Sequence, residues 1–169
     1  EYLPKTSRFI IIDKYPETLL MYKRLIEKQT PDLEILYLAD SSTCFPLKPG
    51  SIDIHLDFFA VNEHNFYHDT FLYKELIPYL APGADLIGTY FYFERAPKSM
   101  KQLLSQYPEA YCKNFDLEYF HSSLKEAGYV LLEEEDCGCT TDSGANLGFG
   151  FHVKGEKMHL LPYHGRKRI

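Results

Sequence analysis

Along this chain, unbroken apolar runs of strand length alternate with stretches whose apolar residues recur at helical spacing. RFIIID, Arg8 to Asp13, is a continuous apolar run closed by an acid, the pattern of a strand covered on both faces. Pro16 stands where a helix begins, since its fixed φ suits the first turn and its missing N–H costs nothing there. Leu19, Tyr22, Leu25 and Ile26 follow at helical spacing until Thr30-Pro31 stops the helix. LEILYLAD (33–40) is a second run ending in an acid, SSTCFPLKPGS is a loop by its Pro, Gly and Ser content, and SIDIHLDFFAVN (51–62) is a third run. A helix over 69–80 carries Leu72, Leu76, Tyr79 and Leu80 on one face, with Pro78 loosening its last turn. Ala81-Pro82-Gly83 then breaks it, and ADLIGTYFYF (84–93) reads as a fourth strand. Residues 97–111 read as an irregular helix. Asp116 can cap a clearer one with Leu117, Phe120, Leu124 and Ala127 on one face, ended by Gly128. Residues 129–134 and 146–153 read as the last two strands.

The resulting order, β-α-β-loop-β-α-β-α-β-β, predicts an α/β fold. The sheet is doubly wound and mainly parallel, with helices on both faces and an antiparallel C-terminal strand. No internal repeat or linker divides the chain, so one domain over residues 1–165 is expected, followed by a solvated basic tail at 166–169 (Arg166, Lys167, Arg168).

Composition narrows the function classes. The 169 residues are 45% hydrophobic and 25% charged, ordinary for a globular chain with a sizeable core. Net charge is −6, a sign that repels a phosphate backbone and argues against nucleic acid as the partner of this domain. No apolar run approaches the roughly 20 residues that span a bilayer, so no membrane partner is expected. Cys44, Cys112, Cys137 and Cys139 do not form paired C-x-x-C knuckles, which leaves free thiols and a cytoplasmic setting as the expectation and no metal site.

In a doubly wound sheet, ligands sit outside the carboxyl ends of the strands. Asp13 ends the first strand, where a carboxylate can accept both hydroxyls of a ribose; it could equally cap the helix that follows. A ribose-binding acid lies about 20 residues after the first glycine of a phosphate-binding loop. That spacing sets the expected loop ahead of Glu1.

This order of motifs resembles the class I S-adenosylmethionine-dependent methyltransferases over nearly the whole chain. Phe9 to Asp13 followed by YPETLL is similar to the family's second strand and its helix. LADSSTCFPLKPGSIDIHL resembles the acid after strand three and the Ser-x-Asp entry to strand four. FLYKELIPYLAPGADLIGTYF resembles the Leu-x-Pro-Gly turn before strand five, and FDLEYFHSSLKEAGYVLLEEE the late helix before strand six. The departures are Pro78-Tyr79 for the usual basic residue, Ala84 for the second glycine, and the expected absence of the first strand with its glycine-rich loop.

The resemblance implies S-adenosylmethionine as cofactor. Asp13 would hold the ribose, flanked by Lys14 and Tyr15; Asp40 would take the adenine amino group, with Ser41 and Ser42 nearby. Phe58 to His64 would line the methionine end and the acceptor mouth. Because the sulfonium is already activated, the protein mainly aligns the acceptor and excludes water. A base is needed where the acceptor is protonated, and the candidates are Glu63 and His64 in the loop after the third run, where a histidine is more often simply solvent-exposed. His55 and Asp57, inside the third run, are structural or pocket-lining. The crowding of Phe and Tyr at the strand ends favours a planar or apolar small-molecule acceptor. The alternative is a methyltransferase-like module that binds ligand or partner without transfer, as part of a larger regulatory protein, a DNA-binding one among the options. An NAD-type Rossmann protein fits less well. Oligomeric state is left open.

Overall fold

The computed structural model describes residues 8–30, 34–39, 47–58, 60–93, 105, 115–140, 145–146, 152–153 and 157–169. The chain divides into two compact units, Glu1–Pro46 and Leu47–Ile169.

In the first unit, β1 (Phe9–Asp13) and β2 (Ile35–Ala39) pair in parallel, joined by α1 (Pro16–Gln29). Pro16 opens α1 as the sequence predicts, and the Tyr15 carbonyl accepts from Thr18 and Leu19. The helix ends at Thr30, whose N–H and hydroxyl both return to the Ile26 carbonyl.

The second unit is built on a five-stranded sheet. Its main path runs β3 (Ile52–Phe58), β4 (Leu80–Phe93), β9 (Lys157–Lys167), β5 (Tyr129–Glu134), and β6 (Cys139–Thr140) adds to β9. β3 and β4 are parallel; β9 is antiparallel to β4, β5 and β6. Two-residue strands β7 (Ala145–Asn146) and β8 (His152–Val153) form a separate antiparallel pair. Between β3 and β4 lie α2 (Ala60–Tyr67), α3 (Leu72–Leu76) and a 3-10 turn (Ile77–Tyr79), and α4 (Leu117–Glu126) precedes β5.

Aromatic packing fastens the helices to one face of this sheet. Phe120 of α4 is fully buried, stacks on Tyr90 of β4 at 4.1 Å between centroids, and meets Tyr163 of β9 at 5.1 Å. Ile54, Leu56, Ile87 and Val130 point the other way. Strands apolar on both faces are what a doubly wound sheet requires. Asp116 caps α4, its carboxylate accepting the Tyr119 N–H at 2.9 Å, and Gly128 after the helix adopts φ +89°. Asp116→Ala should lower stability by about 1 kcal/mol, read as a shift in urea midpoint. An unchanged midpoint would mean that the cap contributes nothing.

Four differences from the sequence pattern have clear causes. The third run stops at Phe58, because the Asp57 carboxylate turns the chain by accepting N–H groups of α2; Glu63 and His64 therefore stand on a helix rather than in a loop. The helix over 69–80 shrinks to α3, and Pro78 tightens its end into the 3-10 turn. The ladder steps from Ile52↔Leu80 to Ile54↔Asp85, so Ala81 to Ala84 loop out of register with Gly83 at φ +75°. Most consequential, the final strand is β9 rather than 146–153. Arg166 and Lys167 belong to it and not to a tail: Arg166 Nε donates to Asp85 across the ladder at 2.8 Å, and Lys167 Nζ donates to the Ile77 and Leu80 carbonyls.

Candidate functional site

At the carboxyl end of β1, Asp13 Oδ1 accepts the Tyr15 N–H at 2.8 Å. The bond closes a turn ahead of α1 and is not the helix cap given as the alternative, since the N-cap is Tyr15 with no side-chain cap; a carboxylate with this N–H partner keeps capacity to accept further hydrogen bonds. Tyr15 exposes half its surface, and the Lys14 ammonium lies 4.9 Å from its ring centroid. Asp40, Ser41 and Ser42 lie outside the described residues.

In the second unit, Phe58 closes β3 and Glu63 stands on α2; their side chains lie outside the described residues. His64 is half enclosed. Its ring stacks on His68 at 4.4 Å, with Nε2 3.4 Å from Thr70 Oγ1 and 3.8 Å from Glu75 Oε1. Burial, and then the neighbouring His68, lower its pKa to about 4, so the ring is neutral and weakly basic at pH 7. Beside it, Asn62 grips the backbone of Phe91, accepting its N–H and donating to its carbonyl, each at 3.0 Å. The β3 ladder reaches only to Thr89, so the asparagine takes over for a strand at the next peptide.

Beneath this edge lies a buried polar core. Asp57 accepts the Ala60 N–H at 2.8 Å and the Val61 N–H at 3.1 Å, and receives the hydroxyl of Tyr73, which in turn bonds Tyr163. Burial pushes the Asp57 carboxyl up to about 6 against these bonds. His55 sets its ring edge-on to Tyr73 at 5.5 Å, its Nδ1 has no hydrogen-bond partner, and burial lowers it to about 4. Asp57, left undecided from sequence, holds the start of α2 through the Ala60 and Val61 N–H groups.

A second cluster at the carboxyl edge escaped the sequence pattern. Tyr92, near the end of β4, sits directly across the ladder from His159 of β9, and the rings stack at 4.8 Å. His159 Nδ1 lies 2.9 and 3.0 Å from the two oxygens of Asp136, and the Tyr92 hydroxyl donates to the same carboxylate at 3.0 Å. After β5 the chain keeps tracking β9, with Glu135 N–H on the Pro162 carbonyl and Cys137 N–H on the Leu160 carbonyl. That alternation aims the Asp136 side chain at His159. The Gly138 N–H, the His159 ring and the Tyr92 hydroxyl hold the Asp136 carboxyl below its ordinary range. The aromatic run TYFYF drew attention to this edge, but Pro162 disguised β9, since proline is foreign to a central strand.

No protein-family model and no curated protein sequence matches the chain. Solved structures do. An S-adenosylmethionine-dependent methyltransferase of Methanosarcina mazei aligns with a TM-score of 0.66 at 12% identity, over 95% of this chain and 82% of its own. Phosphoethanolamine N-methyltransferase 2 of Haemonchus contortus, solved with phosphomonomethylethanolamine and S-adenosylhomocysteine, aligns with a TM-score of 0.65 at 13% identity, over 95% of this chain and 43% of its own. The [4+2]-cyclase SpnF aligns with a TM-score of 0.64 at 12% identity, over 96% of this chain and 66% of its own. The fold is the Rossmann-like fold of class I methyltransferases. Among the described residues, no helix is long and apolar enough to cross a membrane.

Proposed function

We propose that this protein is an S-adenosylmethionine-dependent methyltransferase acting on a small-molecule acceptor in the cytoplasm, the chain working as one domain. The observation that supports it most is the correspondence of fold with methyltransferases along 95% of the chain. With it goes the position of Asp13, a partly exposed carboxylate closing β1 beside the exposed ring of Tyr15. On this reading Asp13 accepts the ribose hydroxyls while Lys14 and Tyr15 flank the adenosine. Asp40, Ser41 and Ser42 take the adenine, Phe58 serves the methionine end, and Glu63 and His64 the acceptor. S-adenosylmethionine supplies a methyl group on a cationic sulfur, so the protein's task is to align, desolvate and deprotonate the acceptor.

Calorimetric titration with S-adenosylmethionine and S-adenosylhomocysteine tests the reading. Both are expected to bind, and Asp13→Ala should weaken both about 10-fold or more, as loss of hydrogen bonds to a charged acceptor does. Unchanged affinity in that variant would sink the ribose assignment. Failure of both ligands to bind the wild type favours the second reading, a module of this fold without methyl transfer. The likeness to a cyclase, named for a different chemistry, is the observation that keeps that reading in view.

A further inference from the structure

We propose that a second copy of this chain docks along the free edge of β5, the two strands pairing antiparallel about a twofold axis between Leu131 and Leu132. The inference concerns the second unit alone and is independent of methyl transfer. β5 ends the path of the sheet and, among the described residues, pairs with β9 on one side only. The Gly128 carbonyl and, past the strand, the Glu135 and Cys137 N–H groups are spent on β9. The backbone groups of β5 that turn outward meet no strand among the described residues, the arrangement that templates pairing with another chain. Val130 and Leu132 are 44% and 45% exposed there.

The charges along this edge select the occupant. Its leading end is basic: a groove of about 250 Å3 runs beside it, lined by His121, Leu124, Lys125, Val130, Leu131 and Arg168. Its trailing end is acidic, EEED from Glu133 to Asp136. Glu134 holds His121 and Asp136 holds His159, whereas Lys125, Arg168, Glu133 and Glu135 have no ionic partner among the described residues. In a parallel pair, or beside another acidic strand, glutamates meet glutamates. Antiparallel self-pairing instead sets the acidic end of each copy against the basic end of the other, twice over about the axis.

The register follows from the axis. Glu133 of one copy stands opposite Val130 of the other, Glu134 opposite Tyr129 and Glu135 opposite Gly128. Gly128 has no side chain, so Arg168, whose N–H donates to the Gly128 carbonyl, is the next group that Glu135 meets. Lys125, in the last turn of α4, flanks the same end. Leu132 bulges from the β9 ladder between Leu131 and Glu133, and bulges and charges are devices that keep edge strands from pairing at random. Here they exclude wrong partners and leave the self-complementary one. β3, at the other end of the path, carries Asp53 and Asp57 without Lys or Arg, so that strand has no such complement.

Sedimentation velocity on the full chain tests the proposal. A dimer is expected at about 100 μM, weakening as salt screens the ion pairs. Two double variants reverse one end each: Glu133→Lys/Glu135→Lys and Lys125→Glu/Arg168→Glu. Each should weaken self-association about 10-fold or more, since like charges then face each other at both contacts. All four side chains are exposed, so the fold should persist, read as unchanged far-ultraviolet dichroism. An equimolar mixture of the two variants restores both sets of opposite charges and should dimerise again. Amide exchange along β5 should slow in that mixture and in the wild type as concentration rises. A wild type that stays monomeric at about 100 μM overturns the proposal, even where it takes up an acidic peptide. So does a dimer that withstands both reversals, or a mixture of variants that fails to reassociate.

Discussion

Gly88→Ala should cost about 3 kcal/mol of stability, a large effect for one added methyl group. A Cβ at Gly88 would fall 2.6 Å from Cζ of Tyr163, closer still to its hydroxyl, and 3.0 Å from the Asp57 carbonyl oxygen. Tyr163 stands directly opposite Gly88 in the β4–β9 ladder, and its ring lies over the position the methyl would take. Overpacking a filled core typically costs 1–3 kcal/mol, and displacement of Tyr163 would also disturb its bond to Tyr73. Urea midpoints read the effect, with loss of near-ultraviolet tyrosine dichroism as a local report. The double variant Gly88→Ala/Tyr163→Phe, which removes the nearest atom, should recover part of the loss. A midpoint within about 0.5 kcal/mol of wild type for the single variant would mean the ring is free to move.

The second large effect concerns Asp57. Truncation in Asp57→Ala leaves the Ala60 and Val61 N–H groups and the Tyr73 hydroxyl without their acceptor, for an expected loss of about 3 kcal/mol. Asp57→Asn keeps a carbonyl oxygen and should lose far less, and it isolates the charge. In the fold this carboxyl titrates at about 6, above its ordinary 3.8. Well below pH 3.8 both folded and unfolded chains hold the proton, and its contribution is fully present. As pH rises to 6 the unfolded chain ionises first, which favours unfolding, so that contribution is lost as pH passes through about 6. Relative to Asp57→Asn, the wild type should therefore lose about 2 kcal/mol between pH 4 and pH 7. His55 and His64, both lowered to about 4, act in the opposite sense. Their contribution is present above 6.5 and lost as pH falls toward 4. The two histidines together outweigh Asp57, so the wild type weakens on the acid side and the variant should weaken more steeply still. Parallel profiles for the two proteins would show Asp57 ionised in the fold throughout.

How far the chain can be read without its structure depends on the range of the interactions involved. β1, α1, β2, α4 and β5 were legible because their signals are local: an apolar run, a proline at a helix start, Asp116 before an amphipathic stretch, Gly128 after it. Asp13 was legible as the acid closing a strand. Asp57 was not, because it looks like one polar residue in an apolar strand. Its meaning comes from Tyr73 and Tyr163, brought to it by a parallel crossover and an antiparallel return.

The sequence by itself determined the α/β alternation and the mainly parallel sheet with its antiparallel finish. These follow from side-chain periodicity and turn chemistry, which act over a few residues. Only the tertiary structure decided that 157–167 is a strand, because its Pro162 argues against one until β4 and β5 are seen on either side. Only it brought Tyr92, Asp136 and His159 together, across 44 and 23 residues of chain. Such a cluster leaves no periodic trace, since strand register, and not spacing along the chain, sets which side chains meet.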